Sequence, residues 1–367
     1  MKQQILNFDE RELSQLLQSS CSLEPYRAKQ LIPWLYRKRE TSFEAMTDIA
    51  KSVRELLSEN FTIYRPKLLQ SLKSVDGTRK YLFQLEGGET VETVLIKQPK
   101  RWTLCVSSQV GCAVACSFCV TGTLGLKRNL ETHEILGQVL AVRDDIAARK
   151  GYDGNGTLID DFYNIVFMGM GEPFHNFDNV ARAVRLLNHP KGFDFSPRKL
   201  TVSTSGVIPA IQRFAEEEVG ANLAISLNAT TDEVRNVVIP INKRWPLSEL
   251  LATLRDFPLK KGKRITIEYV MLAGVNDTFQ DLQRLPKLLH GIQSKVNLIP
   301  YNDNSGLGYS ASSRQIIEKW HQTLLDRGLN CTIRWSKGND ISAACGQLAA
   351  KNEPKKVKKA AVRDHSA

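Results

Sequence analysis

The sequence has no uninterrupted apolar run of the roughly 18 residues that a membrane-spanning helix requires. Near its start, Asp9 and Glu12 interrupt the apolar pattern that a secretory signal needs. We therefore expect no membrane span and a cytoplasmic location. Internal repeats are also missing, and 42% hydrophobic with 24% charged residues is typical of a folded globular protein. This composition excludes a fibrous or wholly disordered chain.

The chain has fewer acidic than basic residues. The chain of 367 residues has 39 acidic residues against 50 lysines and arginines, a net charge of +11. Residues 351–367 contribute +4, so +7 remains on the other 350 residues. Such an excess favours a polyanionic partner, and structured RNA fits it. Because residues 351–367 lack apolar periodicity, we expect them to form a basic, flexible tail.

Cysteine is scarce, and its count of seven is odd. In a reducing compartment, clustered cysteines more often hold metals or react than form structural disulfides. Cys112, Cys116 and Cys119 form a C-x3-C-x2-C motif after a predicted strand. Zinc normally takes four ligands, whereas three thiolates fit a 4Fe–4S cluster with one iron open to a small molecule. Two other interpretations of the motif remain. It could hold a zinc ion together with a distant ligand such as His133 or His175, or it could be three buried thiols that are grouped incidentally.

Apolar periodicity predicts a small N-terminal α-helical domain over residues 1–65. A basic and aromatic run at residues 34–39 suits an RNA backbone there, although such a run is also typical of a solvated helix end. Residues 66–100 alternate as strands and form a short β extension. From 101 to 350, six strands alternate with six helices, which predicts an α/β core with a parallel sheet, either a barrel or doubly wound.

In both architectures the chemistry lies beyond the carboxyl ends of the strands. Glycine and small polar residues follow five of the predicted strands, at 111–112, 169–172, 203–206, 226–228 and 301–302. Each is a weak signal because turns need these residue types anyway. Their recurrence along one rim predicts a site there.

The cysteine motif, in this βα context, resembles the radical S-adenosylmethionine (SAM) superfamily. Further segments resemble its RlmN and Cfr family of RNA adenine methyltransferases, and together they span about residues 25–350. These segments are VETV (91–94), GCAVACSFC (111–119), RNL (128–130), MGMGEP (168–173), STSG (203–206), IPIN (239–242), NLIPYN (297–302) and AACGQL (343–348). The resemblance implies a partial (β/α)6 TIM-like barrel with one 4Fe–4S cluster on Cys112, Cys116 and Cys119, and two SAM molecules per methylation.

The resemblance also implies roles for single residues. Cys345 matches the cysteine that carries the methyl group, Cys105 the cysteine that forms a transient disulfide with it, and Glu92 the general base. From the residues alone, Glu92 would be a solvent-facing acid on a strand and Cys345 a small buried residue. The SAM contacts implied by the family pattern are Gly171, Glu172, Ser203, Ser226, Leu227, Asn228 and Asn302.

The implied reaction is methylation of carbon 2 of adenine in 23S rRNA and of the tRNA adenosine beside the anticodon. The implied electron donor is a protein such as flavodoxin or ferredoxin, and we expect a monomer. One alternative is methylation of carbon 8 of the same rRNA adenine, the Cfr-like activity, although Pro173 and Ser205 favour the carbon-2 branch. An alternative of another class is a zinc-stabilised RNA-binding protein without redox chemistry.

Overall fold

The structure is a computed structural model that describes residues 2–99, 101–154, 157–303 and 306–349. The basic tail predicted at 351–367 lies outside the described residues. Within them, no helix is both long and apolar enough to cross a membrane.

The N-terminal part is helical, and its two ends are joined by a short parallel pair of strands, β1 and β2. Helix α1 begins at Asp9, whose side chain accepts from the Glu12 amide while Glu12 caps the Asp9 amide in return. Helix α2 continues directly into a π-helical turn at Pro33–Arg37. The elements are β1 Gln3–Gln4, α1 Glu10–Cys21, α2 Tyr26–Ile32, α3 Lys51–Asn60 and β2 Phe61–Thr62.

Ten strands form one mixed sheet in the described part of the chain, in the order β14-β13-β12-β11-β10-β9-β6-β5-β4-β3. The predicted β extension is the antiparallel end of this sheet, because β5 pairs with β6. The remaining strands from β6 to β14 are parallel. The strands are β3 Lys67–Lys73, β4 Arg79–Gln84, β5 Thr90–Gln98, β6 Arg101–Cys105, β9 Asn164–Phe167, β10 Leu200–Thr204, β11 Asn222–Ser226, β12 Ile265–Met271, β13 Ser294–Pro300 and β14 Cys331–Ile333.

Each parallel strand lies beside the next one in the chain, so the strand order never reverses. A doubly wound sheet requires a reversal, which leaves the barrel as the correct alternative. The described residues show no pairing between β6 and β14, so the barrel is partial. The helices between the parallel strands are α5 Thr132–Lys150, α6 Phe177–Asn188, α7 Ile208–Glu216, α8 Asp232–Val238, α9 Leu247–Arg255, α10 Phe279–Leu288 and α11 Arg314–Asp326.

An additional hairpin follows β6 and carries the cysteine motif between its strands, β7 Gln109–Gly111 and β8 Leu126–Asn129, with the single helical turn α4 at Val120–Thr123. Buried residues alternate with partly buried ones along β9 and β10, β12 is buried over nearly its whole length, and α6 buries seven of its twelve residues. This rigid framework holds the loops at the carboxyl ends of the strands.

Candidate active site

A pocket of about 860 Å³, open to solvent, lies at the carboxyl ends of the parallel strands. Nine residues predicted to act in the site line it: Cys112, Cys116, Cys119, Gly171, Glu172, Ser203, Ser226, Asn228 and Cys345.

The loop that carries the three cysteines is positioned by Gly111. This residue has φ +79°, and a Cβ there would lie 1.8 Å from the Gly125 carbonyl oxygen. The Cys112 amide donates to that same carbonyl at 2.9 Å. The close approach of the two chains therefore requires glycine at 111.

The three thiols share one pocket and are desolvated. Burial raises the pKa of the Cys112 thiol to about 12 and the pKa of Cys116 well above its usual range. Metal binding removes these protons, since thiolates are the ligands. Three thiols on one loop are the donor set that a 4Fe–4S cluster with an open iron takes.

The donors required for a zinc ion are not assembled. His133 lies on α5, where its Nδ1 is 2.9 Å from the Asn7 side-chain oxygen. Across the described ranges, no three His, Cys, Asp or Glu side chains are grouped to hold a single metal ion. The residues present fit the cluster better than they fit zinc.

Glu172 is buried and held by donors of the protein itself. One carboxylate oxygen accepts from the Phe174 amide at 3.0 Å. The other accepts from the Ser205 amide at 2.8 Å and from its hydroxyl at 2.7 Å. At Gly171 φ is +101°, and a Cβ would lie 2.5 Å from the Gln109 Cβ. These contacts join the loops after β9 and β10.

Two of the predicted SAM contacts do not line this pocket. Leu227 is fully buried, and its side chain belongs to the core. Asn302 is buried, and its amide donates to the Cys345 carbonyl at 3.2 Å. Asn302 therefore supports the Cys345 loop. Asn228 does line the pocket, with φ +54° and its side-chain oxygen accepting from the Val270 amide at 2.8 Å.

Two residues that sequence reasoning missed belong to this site. Arg235 is fully buried and donates to the carbonyls of Ser205 at 2.7 Å, Ser226 at 3.1 Å and Leu227 at 3.0 Å. Glu268 lies on β12, lines the pocket, and has one buried carboxylate oxygen without a hydrogen-bond partner in the described structure. The sequence does contain a signal for Glu268, because it is the lone carboxylate in the apolar strand ITIEYVM. It contains no such signal for Arg235.

Cys345 is exposed, so the expectation of a small buried residue is wrong. Two hydrogen bonds hold its loop beside the loop that carries the three cysteines. The Val120 amide donates to the Gly346 carbonyl at 2.8 Å, and the Thr121 hydroxyl donates to the Leu348 carbonyl at 2.7 Å. Cys345 therefore lines the same pocket as Cys112, Cys116 and Cys119.

Cys105 ends β6 and is buried. Burial raises the pKa of its thiol to about 12, a Cys345 thiolate raises this pKa further, and Arg334 lowers it. The two thiols thus lie close enough to affect each other's charge. The remaining cysteines, Cys21 and Cys331, are buried away from the pocket.

Glu92 is 3% exposed, so its interpretation as a solvent-facing acid is wrong. Strand alternation fails there because the C-terminal segment covers that face of β5. One carboxylate oxygen is 2.9 Å from Lys80 Nζ, and the other accepts from the Ala349 amide at 2.7 Å. Lys80 also donates to the Ser342 carbonyl at 3.2 Å. Glu92 is therefore connected to the segment that carries Cys345.

The basic and aromatic run at 34–39 mostly contacts the protein itself. Trp34 and Tyr36 are buried, and Lys38 Nζ lies 3.1 Å from the centre of the Trp34 ring. Arg37 donates to the Gly192 carbonyl at 3.3 Å, and Arg39 pairs with Asp144 at 2.8 Å. These side chains dock the helical domain onto the barrel.

Two family profiles match the chain. Residues 3–63 match the ribosomal RNA large subunit methyltransferase N-terminal domain, and residues 106–285 match the radical SAM superfamily. The radical SAM superfamily implies a 4Fe–4S cluster and SAM as cofactors.

Curated relatives and a solved structure cover nearly all of the chain. The dual-specificity RNA methyltransferase RlmN of Geobacter sulfurreducens is 50% identical over 89% of this chain and 87% of its own length. The RlmN of Geotalea uraniireducens is 48% identical over 95% and 96%. A radical SAM methyltransferase from Sphaerobacter thermophilus has a TM-score of 0.86 at 40% identity, covering 95% of this chain and all of that one. The chain therefore belongs to the RlmN family of dual-specificity RNA methyltransferases, within the radical SAM superfamily.

Proposed function

We propose that this protein methylates carbon 2 of adenine in 23S rRNA and in tRNA, with Cys345 as the carrier of the methyl group. The observation that supports this most directly is the exposed Cys345 in the pocket that the cluster thiols line. Since the substrate is ribosomal and transfer RNA, we also propose a cytoplasmic location. A monomer is proposed, with flavodoxin or ferredoxin as electron donor.

Carbon 2 of adenine lies between two ring nitrogens and is electron-poor, so it reacts poorly with the electrophilic methyl group of SAM. A cysteine thiolate is a good nucleophile for that methyl group. In this proposal the first of two SAM molecules methylates Cys345. When bound, the cluster and a second SAM would supply radical chemistry that can remove a hydrogen atom from the methyl group on Cys345.

The chain's own residues then have distinct tasks. Cys112, Cys116 and Cys119 would hold the cluster, and Gly171, Ser203, Ser226 and Asn228 would contact SAM. The buried Glu172 and Arg235 keep the loops that form the SAM site in place, as their bonds to Ser205 indicate.

Release of the base uses Glu92 and Cys105. The Cys345 methylene radical bonds to carbon 2, the resulting radical adduct gives up one electron, which returns to the donor protein, and Glu92 accepts the carbon-2 proton, leaving a closed-shell thioether between Cys345 and the base. The Cys105 thiolate then attacks the Cys345 sulfur, forming an S–S bond and breaking the S–C bond. The electron pair of that bond stays on the carbon attached to the base, which takes up a proton to become the methyl group. A thiol reductant restores the two cysteines.

Lys80 and the Ala349 amide each contact one oxygen of the Glu92 carboxylate. Each oxygen keeps a further lone pair, so Glu92 can accept the carbon-2 proton while these contacts hold its side chain in place.

Anaerobic reconstitution with iron and sulfide, followed by mass spectrometry of nucleosides from the reacted RNA, tests the proposal. We expect brown protein with about four irons per chain and formation of 2-methyladenosine. Formation of 8-methyladenosine alone would overturn the choice of carbon. A colourless, zinc-containing protein that does not consume SAM would overturn the radical mechanism.

Cysteine variants test the covalent steps. Cys345→Ala should abolish methyl transfer, and Cys105→Ala should accumulate a covalent protein–RNA adduct on a denaturing gel. Cys21→Ala, whose buried side chain lies outside the pocket, is the matched control and should turn over normally. Full turnover by either active-site variant would contradict these roles.

A further inference from the structure

A second cavity, of about 2080 Å³ and open to solvent, extends through the interior of the partial barrel toward the amino ends of its strands. Residues of β6 and β14, the first and last of the parallel strands, line it together with Cys345. We refer to this cavity as the basic cleft. Cations at its amino-end rim are Arg101, Arg198, Lys199, Lys263, Arg264 and Lys295.

These cations come from separate places in the chain. Arg198 and Lys199 form a turn before β10, Arg264 precedes β12, and Lys295 lies near the start of β13. Because parallel strands begin at one end of a barrel, residues at their amino ends converge there. The convergence of positive charge is therefore produced by the fold.

The charge on the rim is not compensated. Within the part of the chain that the structure describes, no rim cation has a carboxylate within 4.0 Å. Lys263 Nζ donates to the Asn222 side-chain oxygen at 3.0 Å, and burial, followed by the positive charges of Arg198 and Lys260, lowers its pKa. Among the described lining residues the only carboxylate is the buried Glu268. An anion would relieve this repulsion.

The position of Cys345 indicates which anion binds in the basic cleft. It lines both the active-site pocket and the basic cleft, whereas Cys112, Cys116 and Cys119 line only the pocket. If the target base of an RNA lies at Cys345, the nucleotides next to that base can therefore enter the basic cleft. An acidic electron-donor protein would instead need to approach the cluster thiols.

The cleft is long enough for several nucleotides. The seven residues of β12 separate Arg264 from the carboxyl-end loops. At about 3.3 Å per residue this is roughly 20 Å. Since neighbouring phosphates of a stacked strand are about 3.4 Å apart along its axis, and farther apart when extended, several phosphates fit along the cleft.

We propose that the basic cleft binds the phosphodiester backbone of the substrate RNA to one side of the nucleotide that reacts at Cys345. This inference rests on the proposed function, because it places the target base at Cys345. Binding through phosphates would allow the cleft to hold RNAs of different sequence, since contacts to phosphates do not depend on the identity of the bases.

The test replaces three exposed rim cations in one variant, Arg198→Gln, Arg264→Gln and Lys295→Gln. The matched control removes three exposed cations that lie outside the cleft, Lys29→Gln, Lys287→Gln and Lys319→Gln. The dissociation constant for a tRNA transcript is measured for the cluster-loaded proteins across a range of salt concentrations. Transfer of methyl from SAM to Cys345 without RNA is measured alongside, because it reports an intact active site.

For the rim variant we expect binding at least about tenfold weaker at 0.1 M salt, and a log–log salt slope about two units shallower, because three phosphate contacts are lost. The control should change affinity by no more than about twofold. RNA-independent methylation of Cys345 should be equal in all three proteins.

Equal weakening in the rim variant and the control would overturn the proposal, since only total charge would then matter. Unchanged RNA binding combined with lost turnover that dithionite restores would also overturn it, and would assign the cleft to an acidic electron donor. If the parent binds RNA through the rim but does not methylate it, the proposed function fails while the cleft assignment stands.

Discussion

Lys80 joins the two parts of the site that must cooperate, because its ammonium contacts both Glu92 and the Ser342 carbonyl. Lys80→Met would leave Glu92, with its side chain 4% exposed, as a buried charge without its cation. We expect the free energy of unfolding, measured with urea, to fall by about 3 kcal/mol. RNA-independent methylation of Cys345 should also slow down, because the loop loses one of its supports.

The matched control for this prediction is Lys80→Arg, which keeps the charge and most of the reach. It should recover much of the stability and of the methylation rate. If Lys80→Met methylates Cys345 as fast as the parent, Lys80 stabilises Glu92 without positioning the loop.

In the proposed mechanism, the buried Cys105 thiol makes release of the base dependent on pH. Burial raises its pKa to about 12, so at neutral pH almost all of it is protonated. The thiolate is the attacking form. Decay of a preformed protein–RNA adduct should therefore accelerate by about tenfold per pH unit between pH 7 and pH 9. Quenched samples on denaturing gels measure this rate. A rate independent of pH would show that thiolate formation does not limit release.

Single residues differed in how far the sequence predicted them. The spacing of Cys112, Cys116 and Cys119 favours a cluster but leaves zinc with a distant ligand and three incidental thiols as alternatives. Cys105 and Cys345 were identified only by resemblance, because isolated cysteines carry no local signal. Lys80 could not be predicted at all, since its partner Ser342 is 262 positions away in the chain. Burial by a distant segment also reversed the expectation for Glu92.

At the scale of elements, the hairpin of β7 and β8 determines where the cysteine loop lies, and Gly111 is its tightest point. Gly111→Ala should reduce iron content after reconstitution and lower the free energy of unfolding by more than about 2 kcal/mol, since both backbone strain and a clash with Gly125 oppose it. Iron analysis and urea unfolding measure the two effects.

Gly125→Ala is the matched control in the same hairpin. Gly125 also has positive φ, +67°, but a Cβ there meets nothing within 4 Å. We expect a loss of about 1 kcal/mol from backbone strain and nearly normal iron content. Equal iron loss in both variants would mean that the hairpin conformation matters and the close approach does not.

Elements themselves were more predictable than their arrangement. The sequence predicted strands that alternate with helices between residues 101 and 350, and the structure has this alternation, with β10 and β12 among the strands. The pattern could not separate a barrel from a doubly wound sheet, because it contains no information on strand order. Nor could it show that β5 pairs with β6 and so continues the barrel sheet.

At the scale of the whole molecule, ion pairs attach the helical domain to the barrel. Asp144 on α5 binds Arg39 at 2.8 Å and Arg65 at 3.1 Å, and both guanidinium side chains are largely buried. Burial lowers the pKa of Arg65 and Asp144 opposes this shift. Elsewhere, Arg182 on α6 pairs with Glu12 of α1 at 2.8 Å. Carboxylates therefore compensate the arginine charges that become buried where the helical domain contacts the barrel.

Asp144→Asn should therefore weaken the whole protein. Two charged hydrogen bonds become neutral while the guanidinium groups stay buried, so we expect the free energy of unfolding to fall by about 2 kcal/mol. Asp178→Asn is the matched control, because its carboxylate also binds an arginine at 2.8 Å but is 75% exposed, and it should cost less than about 0.5 kcal/mol. Thermal unfolding followed by circular dichroism compares the two variants. A single transition at lower temperature in Asp144→Asn would show that domain and barrel unfold together. An unchanged transition would show that packing alone holds them.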